Sequence, residues 1–97
     1  MIITHITCQF SVQNLTKAIA LLEQVRDKMR TNTDCLNYQI SQQCDLPECI
    51  FISQSWQNIA AFDEYRNSSD FAGMIGDVKP MMTQPPKVDV YDAHIHG

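Results

Sequence analysis

The hydrophobic period of this chain changes along its length, from two residues to between three and four and back again. That succession restricts the fold more than any single residue does. From Met1 to Val12 the positions Ile2, Ile6, Cys8, Phe10 and Val12 share one parity, while His5, Thr7, Gln9 and Ser11 hold the other. Period-two alternation of this kind predicts a strand with one core face. Asn14 then offers a side-chain oxygen to cap a helix. Behind it Leu15, Ala18, Ile19, Leu22, Val25 and Met29 recur at helical spacing, with Lys17, Glu23, Gln24, Asp27 and Lys28 on the remaining surface. The turn-forming cluster Thr31-Asn32-Thr33-Asp34 places the end of that helix near Arg30.

Alternation returns over Cys35 to Gln42, is broken by Asp45-Leu46-Pro47-Glu48, and resumes from Cys49 to Trp56, a pattern that predicts a hairpin. The second arm begins with the unbroken apolar run Ile50-Phe51-Ile52, as expected of a strand covered on both faces. Gln57-Asn58 opens a second helix with Ile59, Phe62 and Tyr65 on one stripe. Asn67-Ser68-Ser69 interrupts it, and Ser69 or Asp70 is placed to cap a further segment. There Phe71, Met74, Ile75 and Val78 fit a helical face despite Gly73 and Gly76. Pro80 and Pro85-Pro86 close the helical region, and Lys87 to Tyr91 alternates as a last strand.

The resulting order is β-α-β-β-α-β. It predicts an α+β, ferredoxin-like fold, a four-stranded antiparallel sheet with its helices on one face. Ninety-seven residues support one hydrophobic core, so residues 1–97 are expected to be a single domain. The second sheet face must meet solvent or another subunit. Ile3 and Phe51 on that face favour a subunit.

Charge removes several function classes. The net charge is −4 and the seven Lys and Arg are scattered. Nucleic-acid phosphates and anionic membrane surfaces both call for clustered positive charge. No apolar run approaches the roughly 20 residues that span a bilayer. Met1-Ile2-Ile3-Thr4-His5 lacks the basic start of a signal peptide. A soluble, cytoplasmic protein is expected. Cys8, Cys35, Cys44 and Cys49 include no C-x-x-C pair. Cys44 and Cys49 flank a turn and could approach each other, but reduced thiols suit a chain without an export signal.

Several landmarks in order resemble the antibiotic-biosynthesis-monooxygenase superfamily. They are Phe10-Ser11-Val12 ending the first strand, Cys35-Leu36-Asn37-Tyr38 after the first helix, and Trp56 closing the third strand. Ala60, Ala61, Phe62 and Tyr65 follow in the helix, then Ser69-Asp70-Phe71, and finally Pro85-Pro86 ahead of Val88-Asp89-Val90-Tyr91. The resemblance covers nearly the whole chain. It implies a homodimeric α/β barrel and oxidation of a quinol-like or aromatic polyketide-like molecule by molecular oxygen, without metal, flavin or other cofactor. The sequence departs from the family pattern at Tyr65, where family members often carry His, or Trp in the haem-degrading branch. Cys8 replaces a small residue or Asn, and Asp34 replaces a turn Gly. The iron-ligating His of the haem branch has no counterpart after Phe71, so haem degradation is not expected.

Such chemistry needs a dry pocket and groups that hold a phenolic proton or stabilise the anion. Tyr65 is the first candidate, since its stripe turns the ring toward the sheet. With an ordinary pKa of about 10 it is a poor base, and a plain core tyrosine is the alternative. Trp56 is a candidate pocket wall or core anchor. Phe71, Met74 and Met29 are candidate apolar lining or simple core. Cys8 points toward the helices, with no neighbouring base to activate it. His5 belongs to the opposite sheet face and suits a dimer contact. His94 and His96 form an H-x-H tail that is expected to be solvated rather than metal-bound. Two rivals to the oxidation remain. One is a non-catalytic dimeric module that binds a small hydrophobic molecule or responds to stress, and the other is an isomerase-type enzyme on a small carbonyl compound.

Overall fold

A computed structural model describes residues Met1–Gly97. Four strands and three helices follow the order β1 (Ile2–Gln9), α1 (Leu15–Met29), β2 (Cys35–Gln43), β3 (Leu46–Trp56), α2 (Ile59–Arg66), α3 (Ser69–Val78) and β4 (Lys87–Asp92). All pairings are antiparallel and the sheet order is β2-β3-β1-β4. This is the ferredoxin-like arrangement expected from the periodicity.

Strand parity decides which residues reach the core. Ile2, Thr4, Ile6 and Cys8 of β1 stand opposite Trp56, Gln54, Ile52 and Ile50 of β3. Except for the half-buried Ile6, all of these are buried. Ala18, Leu22 and Met29 of α1, Ala61, Phe62 and Tyr65 of α2, and Met74 and Val78 of α3 close over them. Fifteen buried residues form one hydrophobic cluster.

Local structure departs from the sequence expectation at several points. The first strand stops at Gln9 rather than Val12. The Ser11 amide donates to Met81 O, and Phe10 makes only an isolated bridge to Met82. The chain therefore leaves the sheet there, and Val12 is 69% exposed. A 3₁₀ turn over Val12–Asn14 follows. It gives Asn14 helix-like backbone angles (φ −102°, ψ −3°), so its side chain donates to Ser11 Oγ instead of capping α1.

The hairpin loop is also shorter than expected. Gln43 pairs with Leu46, leaving Cys44 and Asp45 as the turn. Pro47 falls in a register shift of the β2–β3 ladder, where its missing N–H breaks no ladder bond. The chain covers β3 on the helix side alone. Ile50, Ile52, Gln54 and Trp56 are buried, but Phe51 on the other face is 37% exposed. The unbroken apolar run thus reflects two faces with different fates.

Asn58 caps α2 by accepting from the Ala61 amide at 2.9 Å. The cap rotates the helix so that Ala61, Phe62 and Tyr65 face inward, and Ile59 is 52% exposed rather than in the core. Ser68, not Ser69 or Asp70, caps α3, accepting from the Phe71 amide at 3.2 Å. Its hydroxyl also donates to Tyr65 O, which ties the two helices together at the bend. No helix is long and apolar enough to cross a membrane.

These placements make opposite demands on two isoleucines. Ile52→Ala should cost about 2–5 kcal/mol in urea unfolding, as for other fully buried aliphatic truncations. Ile59→Ser should stay within about 0.5 kcal/mol of the parent.

Candidate functional site

Between the sheet and the α2–α3 pair lies a cavity of about 230 Å³ lined by 18 residues, 13 of them hydrophobic. The sheet supplies Thr4, Ile6 and Cys8 from β1 and Ile52 and Gln54 from β3. The helices supply Phe62, Tyr65, Phe71, Met74 and Val78. Val88 and Val90 of β4 also line it, yet they are 52% and 46% exposed. No helix packs extensively against β4, so the cavity reaches the surface along that edge.

Thr4 and Gln54 of the lining belong to one row across the sheet, and Tyr65, Arg66 and Asn67 add polar groups from the helix side. Thr4 pairs with Gln54, and Gln54 pairs with Tyr38, so neighbouring strands present all three toward the helices. Trp56, two residues beyond Gln54 on the same face, donates its Nε1–H to Gln54 Oε1 at 3.0 Å. An indole can only donate, so it takes the carbonyl end of the amide. Gln54 Nε2 is left without a partner, as are Thr4 Oγ1, Tyr38 Oη and Tyr65 Oη. Each such buried, unpaired group costs about 1–3 kcal/mol. Three of them, on Thr4, Gln54 and Tyr65, belong to residues that line the same cavity.

Tyr65 is fixed by its rings. It stacks on Trp56 at 4.8 Å and meets the edge of Phe71 at 5.4 Å. Burial pushes its phenol up to about 12; the adjacent Tyr38 hydroxyl and Gln54 amide pull it partly back, though neither completes a hydrogen bond of good geometry. Tyr38 is driven higher still, by burial first and then by Tyr65. Burial, with Cys49 as a lesser cause, pushes the Cys8 thiol up to about 11. At neutral pH the cavity therefore holds a phenol and a thiol, both protonated. The one charged residue in the lining, Arg66, pairs with Asp63 at 2.8 Å and lies over the Phe62 ring at 5.4 Å. The site can donate hydrogen bonds to an oxygen, but it presents no carboxylate or imidazole to take a proton.

Of the residues singled out from sequence, Tyr65, Phe71, Met74 and Cys8 meet in this cavity. Trp56 does not line it. The indole sits fully buried behind Tyr65, where it orients Gln54. Met29 lies along a separate groove between α1 and α3. His5 is on the far sheet face, its ring 5.1 Å from Phe51 and 5.5 Å from Tyr91. Cys44 and Cys49 are unbridged. His94 and His96 lie beyond β4, and no three His, Cys, Asp or Glu side chains converge anywhere in the structure. Thr4 and Gln54 are site residues that the sequence patterns do not single out. Their one signal is a polar residue at a core-facing strand position, Thr4 between Ile2 and Ile6 and Gln54 between Ile52 and Trp56.

The sequence profile of the family described as Antibiotic biosynthesis monooxygenase matches residues 1–76. None of the curated proteins matches the sequence. Among solved structures, a candidate antibiotic biosynthesis monooxygenase from Deinococcus radiodurans superposes with a TM-score of 0.92 at 24% identity, over 99% of this chain and 95% of its own. A counterpart from Nitrosomonas europaea gives 0.89 at 12% identity, over 96% and 98%. A Bacteroides thetaiotaomicron protein of unknown function, considered a candidate oxidoreductase, gives 0.86 at 17% identity, over 93% and 94%. At these identities the structural likeness establishes the fold.

The buried acids make stability depend on alkaline pH. Both Tyr65 and Cys8 have folded pKa values above their ordinary ones of 10.0 and 9.0. The unfolded chain therefore loses protons first. Stability should be flat below about pH 8.5 and fall between pH 9 and 12. The slope is about 1.4 kcal/mol per pH unit for each group ionised only in the unfolded chain. Urea melts from pH 8 to 11 on the parent, Tyr65→Phe and Cys8→Ala check this, each substitution being expected to flatten the slope.

Proposed function

The chain belongs to the antibiotic biosynthesis monooxygenase family, and on that premise we propose that it oxidises a small quinol-like or aromatic polyketide-like molecule with molecular oxygen, working as a homodimer. The observation that carries this reading is the pairing of an apolar cavity with three unpartnered polar groups, Thr4 Oγ1, Gln54 Nε2 and Tyr65 Oη. About 230 Å³ lies just below the range of roughly 300–1,000 Å³ usual for small-molecule sites. A ligand of one or two rings suits that space.

For an anthrone-like substrate a ring CH₂ becomes C=O, and for a quinol a ring C–H becomes C–OH as the diol becomes the quinone. In each case one oxygen atom enters the product, the other leaves as water, and the substrate supplies all four electrons. The step needs a substrate anion that can give an electron to oxygen. Tyr65 and Gln54 supply O–H and N–H donors toward that anion, and Thr4 adds a hydroxyl. Because Tyr65 is held protonated, its part is to donate rather than to abstract. The substrate proton then passes to solvent at the β4 edge. The apolar walls from Phe71, Met74 and Val78 keep water from reduced oxygen intermediates.

The same lack of a base supports one other reading, a non-catalytic dimeric module that binds a small aromatic. An isomerase-type role is less well supported, because proton shuttling on a carbon acid requires an acceptor that the lining does not offer. For the dimer, the support is the uncovered sheet face, where Phe51 and Tyr91 flank the His5 ring among polar neighbours.

Oxygen uptake with a panel of hydroquinones and anthrone-like phenols, with and without chelator, tests the oxidation. Saturable uptake that survives chelation is expected. Tyr65→Phe should lower kcat by about a hundredfold. It should leave stability at neutral pH unchanged or slightly higher, since the hydroxyl removed has no partner. Ligand-dependent stabilisation without uptake would move the assignment to the binding module. Phe51→Glu should convert a dimer to a monomer in sedimentation equilibrium with the fold intact by circular dichroism; a parent that is already monomeric would overturn the dimer.

A further inference from the structure

The segment that joins α3 to β4 does not keep the register of the strand it feeds. Lys87, the first residue of β4, stands opposite Thr7 of β1, whereas Met82 bridges to Phe10. Between those two pairings one side holds Cys8 and Gln9, while the other holds Thr83, Gln84, Pro85 and Pro86. Two residues are in excess, so the chain bulges from the sheet edge. One end of the bulge is fastened, because the Thr83 amide donates to Gln9 O at 2.9 Å and the Ser11 amide donates to Met81 O at 3.0 Å. The other end is fastened by the β1–β4 ladder from Lys87 onward. Pro85 and Pro86, lying between, have no N–H to give to β1.

The bulge is also a wall of the cavity. Met82 and Pro86, both half-buried, line the cavity on their inner side. The same two residues line a surface hollow of about 400 Å³ on their outer side, together with Lys79, Thr83, Gln84 and Pro85. Cavity and hollow share these two residues and no others, so the wall is one residue thick and has space behind it. We propose that Gln84–Pro86 is a strap that swings into the hollow about its fastened ends. The cavity then opens between Pro86 and the flexible Met82 side chain while β4 stays paired to β1. A bulge that only blunts a sheet edge against other chains needs no such motion. The strap goes beyond the oxidation proposed above, since it serves any small molecule that the cavity admits.

Cys8 reports the opening, because it lines the cavity, is only 3% exposed, and lies in the stretch of β1 opposite the bulge. With Cys35, Cys44 and Cys49 changed to Ser, the whole chain can be labelled at Cys8 by methyl methanethiosulfonate and followed by mass spectrometry. Swinging of a short strap exposes little surface, so the labelling rate should stay flat up to about 1 M urea, whereas a route through global unfolding accelerates with urea. Deletion of Gln84 and Pro85 removes the two excess residues and makes the pairing continuous; labelling should slow at least about tenfold. Met82→Ala removes half of the wall and should speed labelling at least about tenfold, with the urea dependence still flat. A parent rate that climbs with urea in parallel with unfolding overturns the proposal, because Cys8 is then reached only through the unfolded chain. A variant that is folded by circular dichroism yet falls short of its tenfold change also overturns it, since the entrance then lies elsewhere. If the deletion does not fold, the parent's urea dependence and Met82→Ala decide.

Discussion

One indole N–H sets the chemistry of the cavity. A buried glutamine can present either end of its amide, and the two ends are opposite in hydrogen-bonding character. The Trp56 Nε1–H, 3.0 Å from Gln54 Oε1, removes that freedom. The amide is held by a donor that has no second function, so its NH₂ must face the interior. One property of the cavity follows from this orientation: Gln54 turns a donor, not an acceptor, toward its interior. Trp56 is also the residue that the sequence makes most conspicuous. Its role is exercised from one layer behind the cavity.

The arrangement carries an energetic cost that the rest of the fold must offset. Four unpartnered polar atoms in the interior of a chain this small, on Thr4, Tyr38, Gln54 and Tyr65, oppose folding by several kcal/mol. Trp56, Phe10, Leu22, Ile50 and Ile52, all essentially inaccessible, supply burial against that cost. A site that recognises oxygen with neutral donors must keep those donors unpaired within the protein, because any internal partner would compete with the ligand. The polar row is therefore a place where local stability and recognition conflict, a pattern expected of functional positions.

Much of the architecture is legible in the residues because the sheet has one covered face. Alternation over Ile2–Cys8 and over Ile50–Trp56, and the helical recurrence of Ala18, Leu22 and Met29, are enough to fix element type, order and the layer each face meets. Boundaries are less legible where a single backbone bond decides them. The Ser11 amide turning to Met81 ends β1, and no local pattern announces a partner 70 positions away. Ile59 has the right spacing for the core stripe of α2 but the wrong rotation, which the Asn58 cap settles. In the site, Tyr65, Phe71, Met74 and Cys8 can be found by following apolar stripes. The same habit passes over Thr4 and Gln54, which interrupt those stripes. A polar residue on the core parity of a central strand is the readable signal, and it gains meaning only when the register pairs two such residues.

The edge position of β4 has a dynamic consequence. Strand β4 is held to the sheet by β1 alone, and no helix packs extensively against its inward-facing Val88 and Val90. Amide protection should accordingly be unequal across the sheet, lowest in β4 and highest in the central β1–β3 ladder, since a segment opens most readily where it buries least apolar surface. Separation of β4 from β1 exposes one flank of the cavity while leaving Thr4 and Gln54 paired across the other. Loosening of this edge thus leaves the amide that Trp56 holds undisturbed, so opening of β4 and loss of the Gln54 geometry are separate events with separate free energies.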